Sequence, residues 1–343
     1  MSRPTERSSL RRCLAVTAIG VTTAIALSAC TGTGNKAAGT KTPTSTAPAP
    51  RGVITRAEAG AVLDHYQSVN NSANAKRSAQ LLSTIETGTL LAQDKADYAL
   101  WNTWSKTEQK TYGSPFTYVQ RRFWIPAVGS GATWFAVTAT ASTTKTQALL
   151  IFEKGGGSTY KMTLSLFKGK GESIPEIAVD RDGFAVLADP ADPVGGIAPT
   201  ELSDAFEDCW ETGGKRKCAK LSASTEPVRH ALQVYRTSEK NGTADGYATK
   251  RFFAVPPASA TVYALRAADG GVVAAWSTAH KQESLIKAKY RSAYDIVPDK
   301  QQSVFGATRG PLITDTFLGQ GLALLTSKSA AVTNVEWQLT NAR

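Results

Sequence analysis

The chain has 343 residues, 42% hydrophobic, 20% charged and 8% aromatic, with 28 Gly and 15 Pro. That content excludes a wholly disordered chain, a collagen-like repeat, a coiled coil and a polytopic membrane protein, and the length allows one large or two ordinary domains. The formal net charge is +11, with only three histidines (His65, His230, His280) and four well-separated cysteines, which excludes a His-rich metal site or a zinc ribbon.

Residues 3–12 carry Arg3, Arg7, Arg11 and Arg12 against one acid, Glu6, and the uncharged stretch Leu14–Leu27 follows. At about 1.5 Å per residue it spans roughly 21 Å, short of the roughly 30 Å hydrocarbon core. A basic segment before a short apolar one reads as an export signal and not as a membrane helix. Leu27-Ser28-Ala29-Cys30, followed by Thr31-Gly32, closes the stretch. These residues resemble a bacterial lipobox, in which cleavage falls just before the cysteine. The resemblance implies a lipoprotein signal over residues 1–29, acylation of Cys30 (diacylglycerol, palmitate-type chains) and a position on the outer face of the cytoplasmic membrane. The other reading is a plain signal peptide with an incidental cysteine.

Two acyl chains anchor stably where one is marginal. Losing residues 1–29 takes away four arginines and one acid, leaving 35 basic and 27 acidic residues, a net of +8. Partners suited to that excess are the membrane itself, an envelope protein or an anionic wall polymer, and not nucleic acid. Residues 30–52 are rich in Thr, Ala, Gly and Pro with no large apolar residue, a lipidated flexible tether.

From Val53 the pattern is that of a folded domain, expected over 53–188. Thr55-Arg56-Ala57-Glu58 reads as a capping box, and Val62, Tyr66 and Val69 follow at helical spacing. A short helix is expected around Ala79, Leu82 and Ile85, stopped by Gly88, and a third from Leu90 to Trp104. The period then changes to two. Strands are expected over 116–126, 133–142, 147–153 and 159–167. The last places Tyr160, Met162, Leu164 and Leu166 on one face and Lys161, Thr163 and Ser165 on the other, a meander with one wet face. Shorter strands at 174–179 and 184–187 extend it.

Asp189-Pro190, Asp192-Pro193, Gly195-Gly196 and Pro199 mark a boundary, and a second domain is expected over 197–343. Helices over 202–209 and 227–240 come first. Strands follow at 250–255, 261–267, 271–281, 285–293, 312–325 (broken at Gly319) and 332–340, with Asp269-Gly270-Gly271 as a hairpin turn. The fold class is α+β, helices preceding an antiparallel sheet twice. This order resembles the cystatin-like or NTF2-like cone, in which a curved sheet wraps helices. Two copies behind a lipobox and a Thr/Ala/Pro tether are similar to uncharacterised actinobacterial surface lipoproteins with tandem domains of that kind.

Cys209 and Cys218 bracket a Gly-Gly turn, and in an exported chain they read as a disulfide. No Gly-x-Ser-x-Gly, Walker spacing or complete calcium loop is present: the loop beginning at Asp180 has Ala191 where its glutamate would stand. The histidines have no acid at matched spacing, so no catalytic residue, metal or cofactor is assigned. The resemblance implies a cavity between helices and sheet, and Tyr98, Trp101, Trp104, Trp124 and Trp134 are the candidates to line it, with Asp97 as the nearest acid. Lys287, Lys289 and Arg291 fall on one face of the expected strand 285–293 as a candidate anionic-surface contact. The functional expectation is a non-enzymatic binding or assembly module at the cell envelope. A carrier or sensor of a small apolar ligand and an envelope hydrolase or isomerase are the alternatives.

Overall fold

The computed structural model describes residues 51–241 and 246–343. The expected signal segment, lipidation at Cys30 and nearly all of the tether lie outside those residues. Four helices come first: α1 (Arg56–Lys76), α2 (Ala79–Ile85), α3 (Gly88–Leu100) and α4 (Lys106–Gly113). They precede an antiparallel meander of β1 (Tyr118–Trp124), β2 (Trp134–Ala141), β3 (Gln147–Lys154) and β4 (Tyr160–Phe167). Next are α5 (Leu202–Glu211) and α6 (Glu226–Asn241), then β5 (Ala248–Ala254), β6 (Tyr263–Arg266), β7 (Val272–Ile286), a short α7 (Lys300–Val304), β8 (Leu312–Thr326) and β9 (Ser329–Ala342). The second sheet has the order β5-β7-β8-β9, with β6 also paired to β7. The class is α+β.

Local chemistry explains where the helices begin. The Glu58 N–H donates to Thr55 Oγ1 at 3.2 Å, and the Thr55 N–H donates to the Glu58 carboxylate at 2.9 Å, closing the capping box of α1. Ser105 and Glu108 repeat the device at α4, a helix that hydrophobic spacing does not reveal because it buries no residue. The expected helix to Trp104 therefore ends at Leu100, followed by a turn of 3₁₀ helix over Trp101–Thr103. Gly88 opens α3 instead of stopping α2. The chain leaves α2 at Glu86 in extended conformation, φ −123° and ψ 159°, and bridges to Met162 of β4.

Over β2–β4 the first sheet has no wet face. Ile151 pairs with Leu164 and Phe152 with Met162, so Thr163 is an extra residue in β4. A bulge of one residue exchanges the faces of everything beyond it. Met162 packs with Leu63, Tyr66 and Phe152 beneath the helices, whereas Leu164 and Leu166 turn to the opposite face. There they meet Trp124, Ala136, Leu149 and Ile151 and pack against Tyr263, Leu265, Val273, Ala275 and Leu322 of the second sheet. Burying aliphatic and aromatic side chains of this size contributes about 1.5–3 kcal/mol each, so this contact is a core and not a loose interface.

Three further expectations are corrected. The segments at 174–179 and 184–187 form single bridges, Ile177 to Ala267 and Leu187 to Leu265, that border β6 of the second sheet. β7 runs unbroken from Val272 to Ile286 and the chain then turns, with Ala288–Tyr290 in a 3₁₀ helix, so no strand continues to 293. Gly319 does not break β8. A Cβ there would come within 2.9 Å of the Trp337 ring, and at Gly321 within 2.3 Å of the fully buried Trp276 ring. These glycines let indoles lie flat on the strand.

Candidate functional site

The helices and sheet of the first half enclose a polar network that begins at Glu86. Its backbone bridge to β4 holds the side chain beneath α1, only 1% exposed. Tyr66 donates its hydroxyl to Glu86 Oε1 at 3.0 Å, and Asn70 Nδ2 donates to the same oxygen at 3.0 Å. Asn74 Nδ2 donates to Asn70 Oδ1 at 2.9 Å, and Tyr98 donates to Asn74 Oδ1 at 2.8 Å. Glu86 Oε2 is buried and has no hydrogen-bond partner. Burial, opposed in part by the bonds from Tyr66 and Asn70, raises Glu86 from 4.5 to about 7. Burial likewise pushes the phenols of Tyr66, Tyr98, Tyr112 and Tyr118 upward, with nearby carboxylates adding to it.

Beside this network lies a cavity of about 270 Å³. α1 supplies Tyr66, Asn70 and Asn74, and α3 supplies Leu90, Gln93, Asp94 and Asp97. Trp104 and Tyr112 close the side toward α4, and Tyr118 and Ser165 form the floor from the first sheet. The remaining wall comes from the second half: Gln320 on β8 and Glu336, Trp337 and Gln338 on β9. Gln93 fastens that wall. Its Nε2 donates to the carbonyls of Leu318 at 2.8 Å and Glu336 at 3.0 Å, and its Oε1 accepts from the Gln320 amide. Gln320 Oε1 in turn accepts the Ser165 N–H at 2.8 Å, on the strand that the bulge has turned.

The five aromatic candidates divide between two places. Trp104 lines the cavity, and Tyr98 stands behind it on Asn74. Trp101 packs on Trp104 with ring centroids 5.6 Å apart, under the Arg77 guanidinium at 5.0 Å. Trp124 and Trp134 lie on the other face of the first sheet. The Trp124 Nε1–H donates to Thr138 at 3.0 Å, and Trp134 meets Tyr263 edge-on at 5.2 Å. Asp97 is in the cavity wall. Glu86, Gln93, Asp94, Tyr112, Gln320 and Glu336 are absent from the expectations, although α3 carries a signal of Gln93 and Asp94, an amide and a carboxyl at core-stripe spacing.

The basic candidates do not form one face. Lys287 precedes the 3₁₀ turn, Lys289 Nζ lies 4.7 Å over the Tyr290 ring, and Arg291 Nε donates to the Ile286 carbonyl at 3.4 Å. In the Cys209–Cys218 loop, closed by a disulfide, Arg216 and Lys217 are matched by acids of α5. Arg216 pairs with Asp208 and Glu211, and Lys217 with Asp204. Burial alone would raise Asp208. The N–H groups of Arg216, Lys217 and Cys218, at 2.7–2.9 Å, and the Thr212 hydroxyl outweigh it and hold its carboxyl well below the ordinary range.

His280 finds an acid 73 positions away, out of reach of any spacing rule: its Nδ1 lies 3.0 Å from Glu207 Oε2. Thr278 donates to the other oxygen of Glu207, and the rings of Trp210, Phe252, Phe317 and Trp337 surround the imidazole. Among the described residues, no group of three or more His, Cys, Asp or Glu could hold a metal ion, and no helix is long and apolar enough to cross a membrane.

The chain is 26% identical over 317 residues to the uncharacterized lipoprotein SCO6871 of Streptomyces coelicolor, covering 89% of this chain and 86% of that relative. It is also 26% identical over 279 residues to the uncharacterized lipoprotein SCO2278 of the same organism, covering 79% of each. No solved structure matches. The model of a domain of unknown function, DUF8094, matches residues 50–343, a span that contains every described residue, and the protein belongs to that family.

Proposed function

We propose that this protein is a lipid-anchored, non-enzymatic binding protein on the outer face of the cytoplasmic membrane. Its ligand site is the cavity between α1, α3 and α4 and the β8–β9 hairpin. The observation that carries this is the double origin of the cavity wall: Asn70, Asp94 and Asp97 on one side and Glu336, Trp337 and Gln338 on the other line one space, and Gln93 is bonded to Gln320 at their seam. Relatives named as lipoproteins support the anchor, with a signal peptide over 1–29 and acylated Cys30. The repeated order of helices before an antiparallel sheet supports reading 53–188 and 197–343 as tandem cone-like, NTF2-like domains.

A polar ligand suits the cavity better than an apolar one. The lining presents the carboxyls of Asp94, Asp97 and Glu336 and the amide of Gln338, groups that can bond a polar ligand and not a hydrocarbon. Binding is favoured over catalysis because the buried histidine–carboxylate pair of His280 and Glu207 is caged by aromatic rings and serves packing. The test is native mass spectrometry of the full chain extracted gently from its own membrane. A reproducible added mass beyond the acyl chains supports the reading, and a bare acylated mass opposes it.

A further inference from the structure

The cavity, about 270 Å³, lies just below the roughly 300–1,000 Å³ of drug-sized sites. It has room for one small ring and not for an acyl chain or an oligosaccharide. Its walls combine flat rings, those of Trp104, Tyr112, Phe116 and Trp337, with amides and hydroxyls. The amides have hydrogen-bonding capacity to spare. Asn74, 8% exposed, gives one N–H to Asn70 and accepts one hydrogen from Tyr98. A side-chain amide carries two N–H donors and two lone pairs, so one of each remains on a buried side chain that lines the cavity. Gln338, on the wall from the second half, repeats the pattern. Its Nε2 donates to the Leu339 carbonyl at 3.2 Å, and its other N–H and its Oε1 make no bond among the described residues. Thr111 and Ser114 spend their hydrogens on the carbonyls of Thr107 and Lys110 and keep only lone pairs for a ligand.

We infer that the cavity takes a neutral monosaccharide. The inference rests on the cavity being the ligand site. A sugar hydroxyl is donor and acceptor at once, so neighbouring hydroxyls answer the spare N–H and the spare lone pair of one amide together. The ring's C–H faces are apolar and flat enough to lie on the indole and phenyl surfaces of the wall. Other ligands match less of it. An ammonium brings donors only and would leave the N–H groups of Asn74 and Gln338 facing a positive charge. An anion would meet the carboxyls of Asp94, Asp97 and Glu336, with no Lys, Arg or His among the described lining residues to balance it. A hydrocarbon would match the rings alone. A sugar uses the rings, the amides and the hydroxyl oxygens of Thr111 and Ser114 at the same time.

The test is a ligand-observed NMR titration of the full chain in micelles of a detergent without a sugar headgroup. The probes are glucose, galactose, mannose, arabinose and N-acetylglucosamine, with choline and citrate as charged comparators. The expected result is saturable binding of at least one sugar, tighter than that of choline or citrate. Asn74→Leu should weaken it roughly tenfold or more. Gln338→Leu carries the same expectation on a half-buried residue of the other wall, should Asn74→Leu fail to fold. Sugar binding unchanged by Gln338→Leu places the sugar elsewhere and overturns the inference. An affinity for choline or citrate equal to or above that for every sugar also overturns it, and its loss in Gln338→Leu then leaves the cavity reading standing. Failure of every probe overturns the inference too, whereas the cavity reading falls only if the native mass of the acylated chain is bare as well.

Discussion

The side-chain amides of Gln93 and Gln320 are bonded to each other although they stand 227 positions apart, one on α3 and the other on β8. Each amide makes further bonds into the opposite half, to the Leu318 and Glu336 carbonyls and to the Ser165 N–H. The junction between the halves is thus polar on the cavity side and apolar on the sheet-to-sheet side.

Gln93→Leu keeps the volume and removes the bonds. It leaves two carbonyls and the Gln320 amide without their partner in a buried place, so a loss of about 2–4 kcal/mol is expected. Urea denaturation of the full chain measures it. A change below about 0.5 kcal/mol, the scale of ordinary surface substitutions, would show that the amide contact is incidental.

Glu86 gives the fold an unusual pH dependence. Its carboxyl stays protonated up to about 7 in the folded chain, against 4.5 when exposed. Between those values the folded chain holds a proton that the unfolded chain has released, so stability falls as pH rises through that window. The contribution lost is about 3 kcal/mol. Denaturation midpoints should therefore decline from pH 4.5 to pH 7 in the wild type by more than in Glu86→Gln.

Asp208 acts in the opposite direction. Its carboxyl is held below the ordinary 3.8, so its stabilisation is present above that value and is lost as pH falls through the folded value. The disulfide over the same loop contributes about 2–3 kcal/mol in the chain-entropy model. Replacing Cys209 and Cys218 by Ala should lower the melting temperature, and adding reductant should then have no further effect.

Gly321→Ala would place a methyl group 2.3 Å from the buried Trp276 ring. Overpacking of this kind costs about 1–3 kcal/mol. Tryptophan fluorescence should report a displaced indole, and an unchanged spectrum together with unchanged stability would contradict the packing described.

Much of the fold is legible in local chemistry. Thr55 with Glu58, the period-two runs in β2 and β4 and the Gly-rich turns each act over a few residues, which is the range that sequence patterns report. The bulge at Thr163 is not legible, because the alternation continues through it while the strand itself changes face. Gly319 reads as a breaker because the ring above it comes from Trp337, on the next strand. The site is half legible. Tyr66, Asn70 and Asn74, and Gln93, Asp94 and Asp97, put polar groups where a core stripe belongs. That pattern signals a buried polar network. Gln320 and Glu336 carry no such mark, since only the docking of β8 and β9 onto α3 makes them part of the wall.

The measurement that bears most directly on a ligand site built by both halves is hydrogen exchange of the full chain, with and without the small molecules eluted from its own membrane extract. The account predicts that protection rises together in α3, residues 88–100, and in β8–β9, residues 312–342. Protection confined to one half, or absent from both, would contradict it.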